Sequence, residues 1–68
     1  MQSLTEYGKR AKKELITLDM SQQSLIDAVR KRTGMYCDYK VLARAFTGKA
    51  VHEDIMRAIN EILGLSDS

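Results

Sequence analysis

The chain has 68 residues, no proline, a single cysteine and a net charge of +2. A domain this short buries only about 60% of the surface its unfolded chain exposes, so one thin core is all it can build. With 44% apolar and 29% charged residues, the composition argues against disorder; one cysteine excludes a disulfide framework, and apolar runs of only a few residues exclude a membrane span. The single cysteine and the lack of a signal peptide lead us to expect a reducing cytosol.

Ser3-Leu4-Thr5-Glu6 has the form of a capping box, and it predicts a first helix over about 4–18. Leu4, Tyr7, Ala11, Leu15 and Leu18 recur at helical spacing and form its buried stripe. Lys9, Arg10, Lys12 and Lys13 lie off that stripe and face water, where one or two could also approach a phosphate.

Ser21 opens a second helix, predicted over 22–33, which buries Leu25, Ile26 and Val29. Arg30, Lys31 and Arg32 fall in its last turn. There they suit the negative end of the helix dipole, and phosphate contact is an equally good account of them. Gly34 ends the helix.

Asp38 caps a third helix over about 39–47. Val41, Leu42, Ala45 and Phe46 point inward, which leaves Tyr39, Lys40, Ala43, Arg44 and Thr47 outside. Gly48 closes it. A fourth helix over about 52–63 carries Glu53 and Asp54 in its first turn and the stripe Ile55, Ile59, Ile62 and Leu63. Gly64 ends it, Leu65 folds back on the core, and Ser66 to Ser68 fray. The expected fold is all-α: one domain over residues 1–68, with four helices in a compact orthogonal bundle.

Charge is unevenly spread along this plan. Residues 21–50 hold six cations against Asp27 and Asp38, a net of +4, while residues 51–68 sum to −3. A basic pair of helices separated by a tight turn suggests a surface that meets a polyanion, with DNA the first candidate.

Ser21-Gln22-x-x-Leu25, Gly34 in the turn, Thr47-Gly48-Lys49, and Ile59-x-x-Ile62-Leu63-Gly64-Leu65 together resemble the phage repressor and Cro-like (XRE) helix-turn-helix family. The likeness covers roughly residues 5–65, with the helix-turn-helix at 21–49. The overall look is that of small regulators from prophages and mobile elements of Gram-positive bacteria. The resemblance implies a lambda-repressor-like domain that binds double-stranded DNA and needs no cofactor.

Three departures from the family pattern stand out. Gly34 to Gly48 spans 14 residues, about two more than usual, with the excess around Met35-Tyr36-Cys37. Leu15 and Phe46 occupy the places of a buried Arg–Glu pair, a swap that packing can sustain when both charges go together. A fifth helix, often the family's dimer interface, is absent.

In this geometry the third helix enters the major groove and its outer residues meet base edges. The base-reading set is Tyr39, Lys40, Ala43 and Arg44, and the Arg44 fork suits guanine O6 and N7. Tyr39 could instead hold a phosphate or prop the lengthened turn. The phosphate-holding set is Ser21, Gln22, Tyr36, Thr47 and Lys49, with Ser21 a cap first. One small domain binds DNA weakly, so the affinity argument points to a homodimer on a palindromic operator. Met35 and Met56 are candidate exposed apolar residues for such an interface, although filling the core is the commoner role for methionine.

Other chemistry has little to stand on. His52, the lone histidine, lacks a nucleophile or an orienting partner and reads as a solvated surface residue, so no enzyme is expected. Cys37 sits before a helix N-terminus, a place that can activate a thiol, but it reads better as a small turn residue. One Cys and one His do not make a structural zinc site. Gly48-Lys49 lacks the rest of a P-loop. Two other readings stay open: a protein-interaction module of antirepressor or antitoxin kind, and an excisionase-like accessory DNA-binding protein.

Overall fold

In a computed structural model, which describes residues 4–65, the helices are α1 (Glu6–Thr17), α2 (Gln22–Thr33), α3 (Tyr39–Phe46) and α4 (Glu53–Leu63). No strand occurs among the described residues. The all-helical architecture and the four helices agree with the sequence pattern.

The start of α1 differs from the expected capping box. Thr5 is the cap: its Oγ1 accepts from the Gly8 N–H at 3.1 Å. The choice is tertiary, because Thr5 N–H and Oγ1 both donate to the Phe46 carbonyl, at 3.2 and 3.1 Å. Ser3 lies outside the described residues, as does the expected frayed tail at Ser66–Ser68. The other end of α1 also falls short of its predicted length. Leu18 is the C-cap and is 47% exposed rather than buried. Asp19 takes the left-handed conformation, φ 53°, and Met20 N–H closes the turn on the Leu15 carbonyl at 2.8 Å. That is a Schellman ending with aspartate where glycine is usual.

α2 has its predicted limits. Ser21 Oγ accepts from the Ser24 N–H, and Gly34 leaves the helix at φ 67°. The joint to α3 is short and pinned at both ends. Thr33 Oγ1 accepts from the Met35 N–H at 3.0 Å, and Asp38 Oδ1 caps α3 through the Val41 N–H at 3.1 Å. Between them Cys37 drops into the core, 1% exposed. α3 is one residue shorter than expected, with Thr47 as its C-cap. His52 is the N-cap of α4: its Nδ1 accepts from the Asp54 N–H at 3.1 Å. The histidine that read as merely solvated thus has a local structural task.

The core gathers Leu15 of α1, Leu25, Ile26 and Val29 of α2, Leu42 and Phe46 of α3, and Ile55, Ile59 and Leu63 of α4. Leu65 folds back on it, as expected. Met35 and Met56 are half-buried against this cluster. Their contact with the core fits the gap-filling role common for methionine. α2 packs most extensively on α4, and α1 packs on α3. The α1–α3 seam is unusually close. A Cβ added at Gly8 would collide with the Phe46 carbonyl oxygen and lie 2.9 Å from its carbonyl carbon. Only a residue without a side chain lets the two backbones approach this far.

Candidate nucleic-acid interface

Successive residues of an α-helix turn by 100°, so α3 divides into two faces. Leu42, Ala45 and Phe46 are buried. Tyr39, Lys40, Ala43 and Arg44 face solvent, with Thr47 half-buried at the end. Lys40 stands at the middle of the outer arc. Tyr39 and Ala43 lie toward α1 and the start of α2, and Arg44 lies toward the loop that leads to α4. α3 carries no carboxylate of its own; the nearest on the chain is its cap, Asp38.

The Tyr39 flank opens into a depression of about 330 Å³. Gln22, Tyr39 and Thr47 stand on its walls with Lys12, and Leu42 and Phe46 contribute apolar floor. The structure therefore brings together Gln22, Tyr39, Ala43 and Thr47, four of the residues singled out from sequence. It adds Lys12, which was not separable from Lys9 and Lys13 by sequence alone. Lys12 stands four residues after Gly8, on the side of α1 that the close approach turns toward α3.

The Arg44 flank borders a smaller depression of about 240 Å³, with Val41, Ala50, Val51, His52 and Ile55. Arg44 Nε donates to the Ala50 carbonyl at 3.3 Å, and the Arg44 carbonyl accepts from the Lys49 N–H at 2.9 Å. Gly48, at φ 82°, makes that turn. Residue 44 thus holds the loop carrying Lys49 by both its backbone and its side chain. That bond uses Nε and leaves the two terminal nitrogens of the guanidinium outside it. This tie was invisible in the sequence, since nothing in the spacing of Arg44 and Ala50 marks it.

Several members of the phosphate set already have partners of their own. Ser21 is occupied as a cap, with its hydroxyl also donating to Ser24 Oγ at 3.0 Å. Thr47 Oγ1 donates to the Ala43 carbonyl at 2.8 Å. Tyr36 is 71% exposed and donates its hydroxyl to Asp38 Oδ2 at 2.7 Å. That bond, with the Val41 N–H, holds the Asp38 carboxyl below its ordinary range, while the neighbouring carboxylate pushes the Tyr36 phenol up. A phosphate at Tyr36 would have to displace a carboxylate from the hydroxyl and sit beside its charge. Tyr36 is therefore the weakest member of the phosphate set.

The basic triplet also divides. Arg32 Nη1 pairs with Glu61 Oε1 at 3.1 Å across to α4. Arg30 and Lys31 instead border a separate shallow depression beside Tyr36.

No family model, curated protein or solved structure matches this chain.

No group of three or more His, Cys, Asp or Glu among the described residues is placed to hold a metal ion. Among those residues, no helix is long and apolar enough to cross a membrane. Burial pushes the Cys37 thiol up, chiefly by desolvating its thiolate. That direction is opposite to the one a helix N-terminus would give the thiol.

Proposed function

We propose that this protein is a sequence-selective double-stranded DNA-binding domain that presents α3 to the major groove and acts as a small regulator of the phage-repressor and Cro-like kind in the bacterial cytosol. One observation carries the reading. The outer face of α3 collects Tyr39, Lys40, Ala43 and Arg44 without a carboxylate among them, and Gln22 from α2 stands beside it. An exposed helix with amphipathic and cationic side chains on one arc suits base edges, and the flanking polar groups suit phosphates.

Within this reading Arg44 reads a base with its terminal nitrogens, Lys40 and Ala43 face the groove floor, and Lys49 clamps the flanking backbone. Ser21, Gln22 and Thr47 line that backbone. A palindromic operator bound by two copies accounts for useful affinity from so few phosphate contacts.

Selection of bound fragments from random duplex DNA at low salt tests the proposal. Enrichment of a motif supports it, and no enrichment from the folded protein rejects it. Arg44→Gln then isolates the base-reading role. Glutamine Nε2 sits as far along the side chain as arginine Nε, so the tie to Ala50 survives while the fork is lost. One position of the motif should lose its preference, a discrimination worth about 1–3 kcal/mol. Lys49→Ala should weaken all sequences alike and lower the salt slope by about one.

A second reading, a protein-interaction module on the same fold, has one observation in its favour. Tyr36 and Tyr39 expose 71% and 55% of their surface close to one another along the chain. Two exposed aromatics suit a protein partner as well as a base. Failure of the DNA selection would turn the proposal to that reading.

A further inference from the structure

The depression beside α3 is built from three helices, and its chemistry is divided between walls and floor. Lys12 comes from α1, Gln22 from the first turn of α2, and Tyr39 from the first turn of α3, while Leu42 and Phe46 lie beneath. Lys12 is exposed and has no carboxylate partner among the described residues. An ammonium, a carboxamide and a phenol carried by three helices around one depression suit one anionic group that accepts several hydrogen bonds. The accessible apolar lining, Leu4 and Ala43 over the buried Leu42 and Phe46, suits a neutral, carbon-rich ring attached to that group. A deoxyribose joined to its phosphate combines the two.

We propose that Lys12 is a phosphate ligand contributed by α1, and that the depression it shares with Gln22 and Tyr39 seats one sugar–phosphate of the DNA strand flanking the bases that face α3. This rests on the DNA-binding reading above and adds to it a residue and a place. The position of Lys12 depends on Gly8. The Gly8–Phe46 approach turns that side of α1 toward α3, and Lys12 lies one helical turn further along the same side. Lys13 is rotated a further 100° away and carries the same charge, which makes it the internal control.

The experiment uses the full chain and a duplex taken from the random-DNA selection. Lys12→Gln and Lys13→Gln are compared with the unaltered protein across a salt series. Each phosphate contact contributes about 0.9 to the salt slope, so the advantage of the unaltered protein over Lys12→Gln should shrink about threefold between roughly 50 and 200 mM salt. Lys13→Gln should show a much smaller change. The duplex is then remade with a single neutral methylphosphonate at successive backbone positions. At one position the substitution should weaken the unaltered protein and leave Lys12→Gln unaffected. If Lys12→Gln behaves as Lys13→Gln and no position couples to Lys12, the proposal is overturned while DNA binding stands. If the unaltered protein enriches no duplex, both readings fall together.

Discussion

The two helix pairs of this domain are joined by different physics. α2 and α4 meet through broad burial of Leu25, Ile26, Val29, Ile55 and Ile59. α1 and α3 meet through backbone: Thr5 and Gly8 close on the single carbonyl of Phe46. The first seam is held by area, which tolerates changes of shape when volume is kept. The second is held by an approach distance, which tolerates none. The candidate DNA face lies over the second seam, so the placement of Lys12 beside α3 depends on the less forgiving joint.

Substitutions should separate the two seams. Leu25→Ala opens the α2–α4 side and is expected to cost about 2–5 kcal/mol, while Leu25→Met should cost less than about 1.5 kcal/mol. Urea unfolding midpoints measure both, and equal losses for the two variants would argue against a tolerant, area-held seam.

Gly8→Ala should cost about 3 kcal/mol, from overpacking together with loss of the Thr5 bonds. The sign is the test. In a helix interior that met nothing, Gly→Ala would stabilise by about 1 kcal/mol, so a raised melting temperature would remove the close approach from the account.

Asp19→Gly acts at the far end of α1, away from the seam. It relieves a left-handed non-glycine residue and removes a negative charge from a helix C-terminus, and it should stabilise by about 0.5–1 kcal/mol. Thermal unfolding checks the gain. A loss would show that Asp19 makes a contribution the turn geometry does not reveal.

The smallest effect concerns the start of α3. The folded carboxyl of Asp38 titrates below its unfolded range because Tyr36 and the Val41 N–H bond its charged form. Its contribution is therefore present above the ordinary carboxylate range and is lost as pH falls through the folded value. Asparagine caps as well as aspartate, so Asp38→Asn should lag the unaltered protein at neutral pH and match it in acid. Denaturation curves at both pH values test this, and a constant gap would exclude the charged bond as its source.

The same contrast explains what could be read in advance. The area-held seam was legible because burial leaves a period in the sequence. Leu25, Val29, Ile55 and Ile59 repeat at helical spacing, and Ser21, Gly34, Asp38 and Gly64 mark ends by their own backbone chemistry. The approach-held seam left no period. Gly8 sits inside a helical stretch with no sign that another backbone passes over it. Ser3 and Thr5 both look like caps, and the Phe46 carbonyl, 41 residues distant from Thr5, makes the choice. Cys37 lies in a turn, where no periodicity announces burial. The outer face of α3 was legible by the same rule as the core, being its complement. The meeting of Lys12 with Gln22 and Tyr39 was not, because it depends on how closely α1 lies on α3.

Cys37 also makes the molecule its own reporter. It is the chain's one thiol and is sealed among apolar side chains at the joint between α2 and α3. A small disulfide reagent can reach that sulfur only when the packing around it opens, so the rate of its colour change follows opening of the joint between α2 and α3. The domain thus carries, without any added label, a chemical reporter at the joint between α2 and α3.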